Sequence, residues 1–188
     1  MNARIDITGI VLRTQRLILR PWRQEDLDDF YEYASVDGVG QMAGWLPHEN
    51  KETTQMILDS FITHKKTFAL ELDGKVIGSL GIENYKEDEF PELDALRGRS
   101  IGYVLSKDYW GQGLMSEAVK AVQAYLFGTL GYDFLIVSHY DFNNQSQRVI
   151  EKSGFHYIKT ICLNTRYGTT ENTLVYLLCK EEWENVTT

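Results

Sequence analysis

The chain has 188 residues, of which 43% are hydrophobic and 24% charged, and it carries a formal net charge of −8 at neutral pH. That length and balance suit one globular domain over residues 1–188 with a sizeable core. The acidic charge argues against broad nucleic-acid binding, which needs a basic footprint, and it suits a cationic partner such as an amine or a basic peptide.

The opening residues Met1-Asn-Ala-Arg-Ile-Asp have no apolar core of a signal peptide. No apolar run approaches the length of a membrane span, so the sequence reads as cytoplasmic, without a membrane partner. Cys162 and Cys179 stand in apolar, strand-like segments outside any CxxC pair and are expected to be reduced core thiols. The four histidines show no metal-ligand spacing, so no metal is expected.

Residues 17–22 read as a first strand, with Pro21 at its end or on an edge. An acidic helix start follows at Gln24, with Leu27, Phe30, Tyr31 and Ala34 on one face. Residues 38–47 are irregular. A second helix then starts near Thr53, with Met56, Ile57 and Phe61 as its apolar stripe. Residues 68–72 and 75–82 flank Asp73-Gly74, a strong hairpin signal. Residues 86–99 are charged, contain Pro91 and read as a loop.

Residues 100–106 form the next strand, and Leu114, Ala118, Val122 and Leu126 then repeat at helical spacing until Gly128 and Gly131. Residues 134–138 are a buried strand. Asn143 caps a helix that carries Val149 and Ile150 inward and ends at Gly154. Residues 157–163 and 174–179 are two closing strands. The order β-α-α-β-β-β-α-β-α-β-β predicts a mixed α/β fold with about seven strands and helices on both faces.

The most informative stretch is Tyr109-Trp-Gly-Gln-Gly-Leu-Met-Ser-Glu-Ala, between a strand and a helix. The first N–H groups of a helix lack internal partners and point at whatever precedes it, with the helix dipole adding positive charge there. Gly111 and Gly113 remove side chains where a diphosphate would approach the backbone. No Gly-Lys-Ser/Thr follows, which argues against a P-loop. A nicotinamide or flavin fingerprint keeps two of its three glycines, and Asp133 lies about 20 residues on. That acid starts the next strand rather than ending it, and a hairpin precedes the motif where parallel units should stand. A glycine turn that merely packs helix on strand is the remaining alternative.

These segments resemble the GNAT N-acetyltransferase superfamily, and most of all its RimJ/RimL-type branch of ribosomal-protein N-terminal acetyltransferases. The similarity runs from Thr14-Gln-Arg-Leu-Ile-Leu-Arg-Pro-Trp to Tyr176-Leu-Leu-Cys-Lys-Glu-Glu-Trp. It is carried by the glycine turn, by Asn143-Asn-Gln-Ser-Gln-Arg-Val-Ile-Glu-Lys-Ser-Gly-Phe, and by Arg166-Tyr-Gly-Thr-Thr-Glu-Asn.

The resemblance implies a mostly antiparallel central sheet and acyl transfer from acetyl-CoA to a primary amine without metal. It implies that the diphosphate sits on the loop formed by Gly111, Gln112, Gly113, Leu114, Met115 and Ser116. The pantetheine arm would run beside Tyr103, Val104 and Leu105, with Asn143 bonding it and Ser146 near the thiol. Two departures from the family pattern stand out. Trp110 and Met115 occupy the outer positions of the Q/R-x-x-G-x-G/A loop. Ile150 stands where many members carry a tyrosine general acid, so the acid here must be another group.

Glu83 is the first candidate base, because strand alternation puts Ile77, Ser79, Gly81 and Glu83 on one face, where small neighbours leave room for an acceptor. The alternative is a solvated strand-end glutamate. Ser146 is the candidate proton donor, against the reading of a helix-surface serine. His139, Tyr140 and Tyr167 rank below them. Trp45 is a candidate lining residue, and the acidic loop at 86–99 is either solvated or a flap that attracts cations.

The acceptor expected first is a protein N-terminus. A small-molecule amine, such as a polyamine, an amino sugar or an antibiotic, and a non-catalytic acyl-CoA-binding module are the alternatives. A homodimer is left open by the resemblance.

Overall fold

The computed structural model describes residues 1–187, the last two by backbone alone. An eight-stranded sheet is built from β1 (Leu12–Arg13), β2 (Ile18–Pro21), β3 (Thr67–Leu72), β4 (Lys75–Glu83), β5 (Gly98–Leu105), β6 (Phe134–Tyr140), β7 (His156–Asn164) and β8 (Thr170–Cys179). Its spatial order is β1-β2-β3-β4-β5-β6-β8-β7, and among these neighbours only β5 and β6 run parallel. The parallel pair needs a long crossover, supplied by α3 (Leu114–Gln123).

The fold class is as expected. The strand absent from the expected seven is β1, whose two residues are too short for any periodic pattern. A closing helix, α5 (Lys180–Thr187), was likewise not expected from the strand-rich pattern.

Alternation along β6 shows how the core divides. Leu135 and Val137 join the cluster under α3 and α4 (Asn144–Lys152), together with Leu114, Ala118, Val122 and Ile150. Phe134 and Ile136 face the other way, onto Tyr85, Phe90 and Leu93. A third cluster lies under α1 (Leu27–Ala34) and α2 (Lys51–His64), with Trp22, Phe30, Tyr33 and Leu58 at its centre. Met56, expected in the apolar stripe of α2, is exposed; Leu58 is buried instead.

The Asp73-Gly74 turn takes left-handed angles at both residues (φ 50° and 84°), as a two-residue hairpin between right-twisted strands requires. The register of that hairpin slips at Ile77: Leu70 pairs with Gly78 and Glu71 with Val76. The extra residue resets the alternation. Ile77 therefore packs with Leu80 and Ile82 under α3 rather than sharing a face with Ser79, Gly81 and Glu83.

Cys162 also departs from expectation. It is exposed on the edge strand β7, none of whose residues is buried on either face, while Cys179 is half-buried. The loop at 86–99 folds into two short turns, 87–89 and 91–93, that bury Phe90 and Leu93. Among the described residues no helix is long and apolar enough to cross a membrane.

Candidate active site

The sheet opens at one point. β5 pairs with β4 from Glu83↔Ser100 out to its end at Gly78↔Leu105. Its pairing with β6 stops at Ile101↔Val137. Beyond that point β6 follows β8 out to Tyr140↔Thr173. Residues 102–105 therefore present a strand edge that no neighbouring strand covers, and a cleft of about 470 Å³ opens between the two strands.

At one end of the cleft lies the glycine turn. Lys107–Tyr109 form a short turn, and the Trp110 indole N–H donates to the Leu105 carbonyl at 2.8 Å, pinning the turn to the strand end. Gly111 (φ 76°) and Gly113 (φ 77°) take left-handed angles that a Cβ would oppose. Gly113 is the N-cap of α3 and has no side chain to satisfy the helix start. The first intrahelical donation is from Glu117 N–H to the Gly113 carbonyl, at 3.1 Å. The N–H groups of residues 112–116 thus have no acceptor among the described residues.

The sequence picked out Tyr103 and Ser146 separately; the fold joins them. The Ser146 and Tyr103 hydroxyls lie 2.9 Å apart, and the Tyr103 hydroxyl also lies 3.3 Å from the Ser146 carbonyl. Burial pushes the Tyr103 pKa well above the ordinary tyrosine value, against a smaller opposing effect of the Ser146 hydrogen bond. Tyr103 was marked in the sequence for its backbone only. Its role as a hydroxyl depends on β5 meeting α4, which no local pattern encodes.

Asn143 caps α4, as expected, by accepting from the Ser146 N–H at 3.1 Å. Its amide nitrogen donates to the Met42 carbonyl at 3.1 Å. That bond fastens a segment the sequence left irregular. Residues 40–43 form a short turn, the Gly44 carbonyl accepts from the Arg166 N–H at 2.9 Å, and the Tyr167 hydroxyl donates to the Gln41 carbonyl at 3.5 Å. Gly44 (φ 84°) lets the Tyr140 hydroxyl approach, since a Cβ there would lie 2.2 Å from it. Val39, Met42 and Ala43 line the cleft. Trp45 does not: it packs over Gly40 and beside His48.

Glu83 reaches the same cleft from the end of β4. Its side chain is 42% exposed and ion-paired with Lys66. The space above Gly81 is taken by the Glu83 carboxylate itself, because a Cβ at Gly81 would lie 2.7 Å from Oε1. No hydrogen bond joins Glu83 to the Tyr103–Ser146 pair. His139 is buried and committed, with Nδ1 2.7 Å from the Tyr140 carbonyl and Nε2 3.1 Å from the Tyr176 hydroxyl. The acidic loop contributes nothing to the lining between Glu83 and Ser100.

Residues 16–156 match the acetyltransferase (GNAT) domain family. The chain belongs to the GNAT acetyltransferases. Its curated relatives include the uncharacterized N-acetyltransferase YoaA of Bacillus subtilis (strain 168), 30% identical over 152 residues, covering 77% of this chain and 82% of YoaA. Among solved structures, the ribosomal L7/L12 α-N-protein acetyltransferase RimL superposes with a TM-score of 0.75 at 15% identity, covering 90% of this chain and 94% of RimL. The microcin C7 self-immunity acetyltransferase MccE, solved with acetyl-CoA and AMP, gives 0.73 at 12% identity, covering 88% and 93%. This GNAT acetyltransferase is therefore an N-acetyltransferase, with amines as its acceptor class.

Proposed function

We propose that the cleft between β5 and β6 binds acetyl-CoA and transfers its acetyl group to a primary amine, with a protein N-terminus as the acceptor. The observation that carries this is the conjunction of an uncovered strand edge at 102–105 with unpartnered N–H groups at 112–116 on the same cleft. Diphosphate oxygens suit the N–H groups at the start of α3, and the amides of a pantetheine arm suit a strand edge. Gly111, Gln112, Gly113, Leu114, Met115 and Ser116 would hold the diphosphate, and Tyr103, Val104 and Leu105 the arm. The second hydrogen of the Asn143 amide, not used on Met42, is available to a carbonyl of the arm.

Acetyl-CoA supplies the activated acetyl thioester. The chain supplies position and protons. Glu83, whose other partner is Lys66, takes a proton from the acceptor ammonium through water, leaving a neutral amine to form the C–N bond. As the C–S bond breaks, Ser146 Oγ gives its proton to the sulfur, and the proton shed by the nitrogen as it becomes an amide returns to the Ser146–Tyr103 hydroxyl pair, whose oxygens lie 2.9 Å apart. A tyrosine held protonated by burial suits a donor and not a base. The net charge of −8 and the likeness to RimL support a basic protein acceptor.

Thiol release from acetyl-CoA, measured against N-terminal peptides, polyamines and aminoglycosides, tests the acceptor. Turnover with peptides alone is expected. Turnover with small amines alone would replace the protein acceptor, and binding of acetyl-CoA without turnover on any of them would leave an acyl-CoA-binding module.

A further inference from the structure

A guanidinium from the far edge of the sheet reaches the glycine turn. Arg16 stands in the turn between β1 and β2, where the Thr14 N–H donates to the Leu17 carbonyl at 2.9 Å. Its Nε and Nη2 lie 2.8 and 2.7 Å from Glu117 Oε2, and its own N–H donates to Oε1 at 2.8 Å. The Thr14 hydroxyl donates to the same oxygen. Glu117 is in the first turn of α3, so the hairpin is fastened to the start of that helix. Arg16 then extends one hydrogen bond further: Nη1 donates to the Gln112 carbonyl at 3.0 Å.

We propose that Arg16 is a positioning residue for the diphosphate site, acting by fixing the peptide plane between Gln112 and Gly113. A trans peptide is planar, so its C=O and N–H point in opposite directions. Holding the Gln112 carbonyl toward Arg16 turns the Gly113 N–H the other way. Gly113 lines the cleft, and with φ 77° and no Cβ it has little else to fix its orientation. Glu117 neutralises the Arg16 charge at 2.7 Å, so the contribution is geometric: a loop set before the ligand arrives binds without an ordering cost. The inference rests on the reading of residues 112–116 as the diphosphate site.

The test compares two donors, acetyl-CoA and S-acetylpantetheine, which lacks the diphosphate. Wild type is expected to show a far lower KM for acetyl-CoA; equal KM values would overturn the diphosphate reading itself. Given that difference, Arg16→Met is expected to lower the acetyl-CoA to S-acetylpantetheine ratio of kcat/KM by about ten-fold, through KM and with kcat for acetyl-CoA nearly kept. Arg16→Lys retains the charge facing Glu117 but not the second arm to Gln112. It is expected to keep the wild-type melting temperature and still lower the ratio. An unchanged ratio in both variants, or equal loss with both donors, would overturn the positioning role.

Discussion

The Tyr103 and Ser146 hydroxyls lie 2.9 Å apart beside an uncovered strand edge, while Ile150 is buried in the core and has no proton to give. Ser146→Ala and Tyr103→Phe are each expected to lower kcat by about 10²-fold, at the lower end of the range for proton-transfer groups, with little change in KM for acetyl-CoA. The double variant should cost less than the product of the two, because both break one shared hydroxyl pair. Steady-state thiol-release kinetics decide this.

The pH profile follows from the same geometry. A donor works while protonated, and burial raises the Tyr103 pKa, so the proton is retained as pH rises past the ordinary tyrosine value of about 10. The alkaline limb of kcat is therefore expected above pH ~10; a limb below that, abolished by Tyr103→Phe, would contradict the assignment. The Asn143 cap was legible in the sequence because a cap and its third residue lie close along the chain, whereas Ser146 was singled out only through the family resemblance. The Tyr103 hydroxyl and the Arg16 contact were not, since 43 and 96 residues separate them from their partners.

At the scale of elements, two charged fastenings hold the first hairpin in place. Arg20 is buried and meets both Asp26 oxygens at 2.8 Å and Glu71 Oε2 at 2.6 Å, tying β2 to β3 and to the start of α1. Asp26→Ala leaves that guanidinium buried with one carboxylate fewer and is expected to cost about 3–5 kcal/mol, read from urea unfolding. Glu117 is the second fastening. Burial alone would raise its pKa, but the hydrogen bonds from Thr14 and Arg16 together lower it. A depressed carboxylate stabilises the folded state above the unfolded glutamate value of about 4.3, and this stabilisation is lost as pH falls through the folded pKa. The stability advantage of wild type over Glu117→Gln should accordingly be present at neutral pH and shrink on acidification below pH ~4.

The elements themselves were legible to differing degrees. Asp73-Gly74 announced its hairpin, and the spacing of Leu114, Ala118 and Val122 announced α3, because turn chemistry and periodicity are local. The slip at Ile77 was not legible, since a bulge is set by the partner strand.

Across the whole molecule, the proposed site comes from a single topological event: one strand pair that begins to zip and then parts. β5 is held by β4 and β6 by β8, and the two neighbours draw them apart beyond Ile101 and Val137. The opening is covered on one side by residues 40–44, and α3 begins at its end. Seven of the strands and the glycine turn are legible in local sequence, whereas a splayed strand near residues 103–105 was implied only by the family resemblance, because the parting exists only once four strands are in register.

The most direct test is a crystal structure of the protein with coenzyme A bound. Diphosphate oxygens are expected within hydrogen-bond distance of the N–H groups of residues 112–116, the arm alongside residues 103–105, and the sulfur within reach of Ser146 Oγ. Coenzyme A bound outside the β5–β6 cleft, or with its diphosphate away from the glycine turn, would contradict the proposed site.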